Sequence, residues 1–262
     1  MAYILQSNRL AQHRLQLQHQ LYKKSSENLL LEAGLKPGMK VMEVGCGIGL
    51  MTEFLAETVT NKGSVLSFDF DPDYVEITSK RVGHEHQVFI YEKNVYDVKD
   101  FGQQFDLIYC RMVLHHLQQP EKAIEALVSC LKPGAVLVIE EVPSMDGVFA
   151  YPESTALKQE IDLVLQTFKN NDIKYEIAYT MTDYLKSLPC EVELCQLFQP
   201  VCLTEDQKMI HAMGLEDIGP KIVSSGLATE DEIAALIVAL KQELPSRKML
   251  SLFKMVQVIA RA

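Results

Sequence analysis

The run Val41-Met42-Glu43-Val44-Gly45-Cys46-Gly47-Ile48-Gly49 constrains this chain more than any other segment: an apolar strand enters a loop with glycine at every second position, and the helical stretch Leu50 to Val59 follows. A strand, a glycine loop and a helix in that order open a parallel α/β unit whose ligand sits at the helix start. In the dinucleotide pattern G-x-G-x-x-G, Gly45 and Gly47 fit. The third position falls on Leu50, and Gly49 comes one residue early. Glu43 stands two places before the first glycine, where a carboxylate repels a pyrophosphate. The loop therefore suits a ligand without phosphate and with positive charge, and an NAD(P)-dependent oxidoreductase is the disfavoured alternative.

Downstream, strand and helix signals alternate. Ser64 to Phe68, Gln87 to Tyr91, Phe105 to Arg111 and Ala135 to Glu140 read as strands; Pro72 toward Gly83 and Glu121 to Leu131 read as helices, with Pro72 suited to a first helical turn. That alternation specifies a parallel sheet covered by helices on both faces. Ahead of it, leucines between Arg9 and Gly34 predict one or two amphipathic helices. After Val142 the pattern changes: Pro152 to Lys169, Thr182 to Leu188, Thr204 to Ser225 and Thr229 to Leu244 read as helical, Val192 to Val201 as strand, and Leu252 to Arg261 as a last strand.

The E-x-G-x-G-x-G run resembles motif I of class I S-adenosylmethionine-dependent methyltransferases, and further matches follow in order. Asp69 ends the second strand about 20 residues after the loop, where the family's acidic residue holds the ribose hydroxyls. Asn94 and Val95 follow the third strand, where the family reads adenine; the usual residue there is Asp, and an amide oxygen accepts the same bond without charge assistance. Phe105 to Leu117 (FDLIYCRMVLHHL) is similar to the fourth strand and the loop under the methionine end of the donor, and Leu131-Lys132-Pro133-Gly134 to the turn into the fifth strand. Weaker similarity at Tyr3-Ile4-Leu5, Arg14-Leu15, Gln18 and Met255 to Arg261 points to a bacterial small-molecule group akin to ubiquinone and menaquinone methyltransferases. The resemblance implies a Rossmann-like α/β fold: a seven-stranded, mostly parallel sheet, N-terminal helices, and a helical insertion before the last strand. It implies one domain over residues 1–262, with N-terminal helices over 1–34, a cofactor core over 35–142, a helical insertion or lid with the sixth strand over 143–250, and the last strand over 251–262. It implies S-adenosyl-L-methionine as cofactor, S-adenosyl-L-homocysteine as product, and Glu43, Gly45, Cys46, Gly47, Gly49, Asp69, Phe70, Asn94, Val95 and Arg111 as donor-binding residues.

Methyl transfer needs an acceptor held in line with the sulfur–methyl bond, and a base only when the acceptor is an alcohol or a carbon acid. His115 and His116 follow the fourth strand at the carboxyl edge of the sheet, where open α/β folds bind ligands; with Glu141 at the end of the fifth strand they are the candidate catalytic residues. Against this stand the plainer readings, that the histidines brace the loop and that Glu141 caps a turn. His84-Glu85-His86 reads as a solvent-facing loop, and Tyr22 as either acceptor pocket or core. The (Asp/Asn)-Pro-Pro-aromatic signature of nucleic-acid amino methylation is missing after the fourth strand, where Arg111-Met112-Val113-Leu114 stands.

A formal net charge of -10 argues against nucleic acid and anionic lipid as partners, leaving a small molecule as the acceptor and a homodimer open. Met1 to Leu21 lacks the apolar core of a secretion signal, and no apolar run approaches the length of a membrane span. Six cysteines without a C-x-x-C pair read as reduced and mostly buried thiols in a cytoplasmic protein; the spacing of Cys190, Cys195 and Cys202 fits no zinc pattern, so no metal is expected. The alternatives that stay open are C-methylation of a quinone-type ring and a cofactor-binding protein that works as a non-catalytic interaction module.

Overall fold

The computed structural model describes residues 9–262, so the Tyr3-Ile4-Leu5 match lies outside the described residues. In chain order the elements are α1 (Arg9–Glu32), β1 (Lys40–Val44), α2 (Leu50–Val59), β2 (Ser64–Asp69), α3 (Pro72–Val82), β3 (Val88–Glu92), β4 (Phe105–Arg111), α4 (Pro120–Ser129), β5 (Leu131–Glu141), β6 (Ala150–Tyr151), α5 (Thr155–Asn170), α6 (Glu176–Ser187), β7 (Glu191–Phe198), α7 (Glu205–Lys208), α8 (Ile210–Ser224), α9 (Glu230–Glu243), β8 (Met249–Leu250) and β9 (Met255–Arg261). They divide into two compact units. One holds Lys24–Pro143, Lys174–Leu197 and Met255–Ala262; the other holds the described residues up to Lys23, with Ser144–Ile173 and Phe198–Lys254.

The first unit is a seven-stranded sheet in the order β3-β2-β1-β4-β5-β9-β7. Strands β1 to β5 pair in parallel, and β9 runs antiparallel to β5. This is the Rossmann-like α/β architecture expected from the sequence. The inner strands β1, β2, β4, β5 and β9 are buried on both sides because helices cover both sides, whereas the edge strands β3 and β7 are largely exposed. On one face, Val41, Leu107, Tyr109, Val136 and Val138 pack with Leu29 and Leu30 of α1 and with Met51, Leu55 and Val59 of α2. On the other, Met42, Val44, Ile108, Leu137 and Ile139 pack with Ile124 and Leu127 of α4 and with Ile177, Met181 and Leu185 of α6.

In the second unit, Ile210, Leu215 and Ile218 of α8, Ile233, Leu236 and Leu240 of α9, and Ala156, Leu157 and Val164 of α5 are buried. β6 and β8 form a two-residue antiparallel ladder in which Tyr151 faces Met249. Tyr22 belongs here as core: it is fully buried, stacks on Phe253 at 5.7 Å, and donates its hydroxyl to the Phe253 carbonyl. His211 is buried between Glu160, 3.3 Å from Nδ1, and the Ser251 carbonyl, 3.2 Å from Nε2.

The departures from the sequence expectation have local causes. The N-terminal helix is one continuous α1, within the one or two helices expected, and Gly34 with φ +94° lies just past its end. α5 starts at Thr155 rather than Pro152, because the Ser154 hydroxyl caps it by accepting the Leu157 N–H at 3.1 Å. α6 starts at Glu176, well before Thr182; Ile177, Ala178, Met181 and Leu185 have helical spacing, but the β-branched and aromatic residues around them mask it. Of the insertion expected over 143–250, Lys174–Leu197 with α6 and most of β7 belong to the sheet unit. β6 and β8 are too short to carry a period. Cys46, Cys110, Cys130 and Cys202 are buried as expected, Cys190 is half-buried, and Cys195 is exposed on β7, the edge strand; all six are free thiols. Among the described residues no helix is long and apolar enough to cross a membrane.

Ile139 on β5 is fully buried, with neighbours on β4 and β9. Ile139→Ala is expected to destabilise the fold by about 2–5 kcal/mol, seen as a lower urea midpoint at unchanged slope.

Candidate active site

The loop after β1 turns on backbone that side chains resist. Gly45, Gly47 and Gly49 have φ of +70°, +53° and +77°, all left-handed. The N–H groups of Gly45 and Cys46 both donate to the Phe68 carbonyl, at 2.9 and 3.0 Å, which pins the turn to the end of β2. A Cβ on Gly45 would lie 2.5 Å from the γ-methyl of Val113, so the loop after β4 packs directly on this turn. A Cβ on Gly47 would meet nothing within 4 Å. Gly49 caps α2, and Cys46 is buried, with burial pushing its thiol up so that it stays neutral.

Glu43 is buried beneath the loop, and its Oε2 accepts the hydroxyls of Thr52 on α2, at 2.6 Å, and Ser67 on β2, at 2.7 Å. Oε1 makes no hydrogen bond among the described residues. Burial raises its pKa to about 7 against the opposing pull of the two hydroxyls and Arg111. Asp69 sits at the end of β2 as expected; Oδ2 accepts the Gly47 N–H at 3.0 Å and Oδ1 the Asp71 N–H at 3.1 Å. The carboxylate keeps capacity for a further donor. Burial pushes the Asp69 carboxyl above its usual value, and the backbone N–H groups of Gly47, Asp71 and Phe70 draw it back. Phe70 beside it is exposed. Asp71 caps α3 through the Asp73 N–H at 2.9 Å. Asn94 is exposed after β3 and caps the short helical turn 95–101, its Oδ1 accepting the Tyr96 N–H at 3.1 Å; Val95 is buried beneath it. Arg111 ends β4, with Nη1 3.3 Å from the Ser26 hydroxyl of α1.

The two glutamates ending β5 part company, because successive strand residues face opposite sides. Glu140 is fully buried; it accepts the Tyr109 hydroxyl and, at 2.7 Å, the Gln257 amide. Glu141 is also fully buried. Its Oε2 accepts the N–H groups of Leu114, at 2.6 Å, and His115, at 3.2 Å; its Oε1 meets the Val142 N–H at 3.2 Å and His115 Nδ1 at 2.5 Å. Glu141 was expected to face an acceptor as a base. Both its oxygens are occupied, by three backbone N–H groups and the His115 ring, so it presents no open oxygen to an acceptor. His116 is half-buried, its ring 3.9 Å from that of His115. His84 and His86 are exposed, as read from the sequence.

The family described as a methyltransferase domain matches residues 16–204, well over half of the chain. This chain belongs to that family. Among its relatives, a ubiquinone biosynthesis O-methyltransferase of Xanthomonas campestris is 30% identical over 118 residues, covering 44% of this chain and 47% of the relative. A phosphoethanolamine N-methyltransferase of Zea mays is 25% identical over 171 residues, covering 63% of this chain and 34% of the relative. The chain therefore spans less than half the length of these relatives. The solved N-methyltransferase NodS of Bradyrhizobium japonicum, in complex with S-adenosyl-L-homocysteine, superposes with a TM-score of 0.53 over 92% of this chain and 87% of its own, at 15% identity, a likeness of fold alone.

The methyltransferase domain uses residues that the sequence did not single out. Thr78 and Arg81 of α3 donate to the carbonyls of Gly47 and Ile48, at 2.8 and 2.7 Å, and hold the glycine loop from the side opposite Val113. Thr52 and Ser67 are the partners that Glu43 requires. Their sole sequence trace is a hydroxyl in an otherwise apolar segment, and nothing in the sequence says what lies opposite.

Two outcomes are expected of the loop. Gly45→Ala, which combines a left-handed backbone with the Val113 contact, should cost about 2–4 kcal/mol in denaturant unfolding. The folded domain keeps the Glu43 proton to about pH 7, whereas the unfolded chain releases it near the ordinary 4.5. Its contribution is therefore complete below that lower value and is lost as pH rises through 7. Glu43→Gln should remove this loss, gaining on the order of 3 kcal/mol over the wild type at pH 8 relative to pH 4, read from urea midpoints at the two pH values.

Proposed function

We propose that this domain is an S-adenosylmethionine-dependent methyltransferase acting on a small-molecule acceptor in the cytoplasm. The observation that carries the reading is the glycine loop itself: Gly47 is left-handed with open space where a side chain would stand, and its N–H is held by the carboxylate of Asp69. That cradle fits a cationic, phosphate-free ligand and opposes a pyrophosphate, which disfavours the nicotinamide alternative. When bound, S-adenosylmethionine supplies a methyl group already activated on a sulfonium. Asp69, buried at the end of β2 and held by backbone N–H groups, would take the ribose hydroxyls, and Asn94 the adenine amine through its remaining lone pair. Gly45 and Gly47 would admit the methionine portion, with Arg111 and, above about pH 7, Glu43 supplying charge around it.

Two supports bear on acceptor and compartment. The Xanthomonas relative, named for O-methylation in ubiquinone biosynthesis, favours an oxygen acceptor over the ring carbon considered from the sequence. The net charge of -10 argues against bulk nucleic acid, and the six free cysteines support a reducing compartment.

Calorimetric titration with S-adenosylhomocysteine, S-adenosylmethionine and NADH tests the reading: binding of the first two is expected, and binding of NADH alone would overturn it. Asp69→Ala should weaken S-adenosylhomocysteine by about 100-fold or more through two lost charge-assisted bonds. An affinity close to wild type in that variant sinks the ribose assignment.

A further inference from the structure

The turn between β4 and α4 holds a histidine with every polar group engaged but one. His115 donates its backbone N–H to Glu141 and accepts the Lys174 N–H at its carbonyl, at 2.8 Å. Its ring, 6% exposed, stacks on Tyr175 at 5.4 Å and 20° and lies against His116. Glu141 is ringed by the N–H groups of Leu114, His115 and Val142, so it faces His115 as an acceptor. The 2.5 Å contact with Nδ1 then places a hydrogen on Nδ1, and in the neutral imidazole this leaves the lone pair on Nε2. Nε2 makes no hydrogen bond among the described residues. Val113, two residues earlier, supplies the methyl group that packs on Gly45, so the same turn joins this histidine to the glycine loop. Met112, ahead of it, holds a left-handed φ of +55°, a strained backbone at the carboxyl edge of the sheet.

We propose that His115 is the general base of the methyl transfer, oriented by Glu141 as a positioning residue, and that its acceptor is a hydroxyl of the phenol class. The proposal rests on the methyltransferase reading above. As the acceptor oxygen forms its new bond to the methyl carbon, its proton passes to Nε2, and the pair of the breaking sulfur–methyl bond returns to sulfur, leaving a neutral thioether. The imidazolium so formed is stabilised by Glu141 and returns its proton to water. A neutral amine attacks without this step, so a built base of this kind marks an acceptor that must shed a proton, an O–H or a carbon acid, and the relative named for O-methylation favours the O–H. The titratable groups around the ring are Glu141 on β5, Cys110 on β4, His116 on the same turn and Tyr175 ahead of α6; burial and Glu141 push both Cys110 and Tyr175 up, so both stay neutral.

The test uses the full chain. Nitrogen NMR of the labelled wild-type protein, at a pH where the ring is neutral, is expected to find the Nδ1–H tautomer of His115; the Nε2–H tautomer overturns the proposal. This measurement needs no acceptor and can overturn the proposal even if no probe is turned over. With catechol and ethanolamine as probes, His115→Gln is expected to lower kcat on catechol by about 10²–10⁴-fold at unchanged S-adenosylhomocysteine affinity. Glu141→Gln should shift the acid limb of the kcat/KM profile to lower pH, because the imidazolium loses its counter-charge. A His115→Gln variant within a few-fold of wild type, or an acid limb unmoved in Glu141→Gln, overturns the proposal. Failure of the wild type to bind S-adenosylhomocysteine at all is the distinct failure of the functional reading.

Discussion

The left-handed backbone at Gly45 is the constraint on which the site depends. It turns β1 into α2 within a few residues and places two N–H groups on the Phe68 carbonyl, so the loop is registered to β2. The missing side chain is occupied by the Val113 methyl, which registers the loop to the turn after β4. Thr78 and Arg81 hold the loop carbonyls from α3. Three strand ends are thus brought to one place by a position where only glycine fits, and Asp69, Arg111 and His115 are arranged by that meeting.

A second consequence follows from burying a parallel sheet on both faces. Polar side chains at the strand ends have no water to turn to, so each must find a partner from another element. On the α1 and α2 face, Ser67, Glu43, Tyr109, Arg111, Glu140 and Gln257 form a row across neighbouring strands: Glu43 pairs with Ser67 and Tyr109 in register, Arg111 with Glu140, and Glu140 with Gln257. Ser25 and Ser26 of α1 reach this row, through Gln257 at 2.8 Å and Arg111 at 3.3 Å. On the opposite face stands Glu141 with its histidine. One residue of strand period therefore separates a structural carboxylate from the one that meets an imidazole.

Much of this was legible in the sequence wherever a signal is local. The strand, glycine and helix succession, the acidic residue ending β2, and the helix opened by Pro72 each involve residues within a few positions of one another, and all lie where they were expected. α6 was read too short because its first turns carry residues that also suit strands, and burial against β4, β5 and β9 overrode that preference. The β6 and β8 ladder escaped notice because two residues have no period.

What the sequence alone determined is the α/β order of elements, the turn that only glycine can make, and the list of side chains able to carry charge at the carboxyl edge. What the tertiary structure decided is pairing: that Glu43 holds Thr52 and Ser67, that Glu140 and Glu141 face opposite ways into different neighbourhoods, and that His115 rather than His116 lies on a carboxylate 26 positions along the chain. The physical reason is that a propensity or a glycine's freedom belongs to one residue and its neighbours, whereas a buried hydrogen bond belongs to two residues that only the closed sheet brings together.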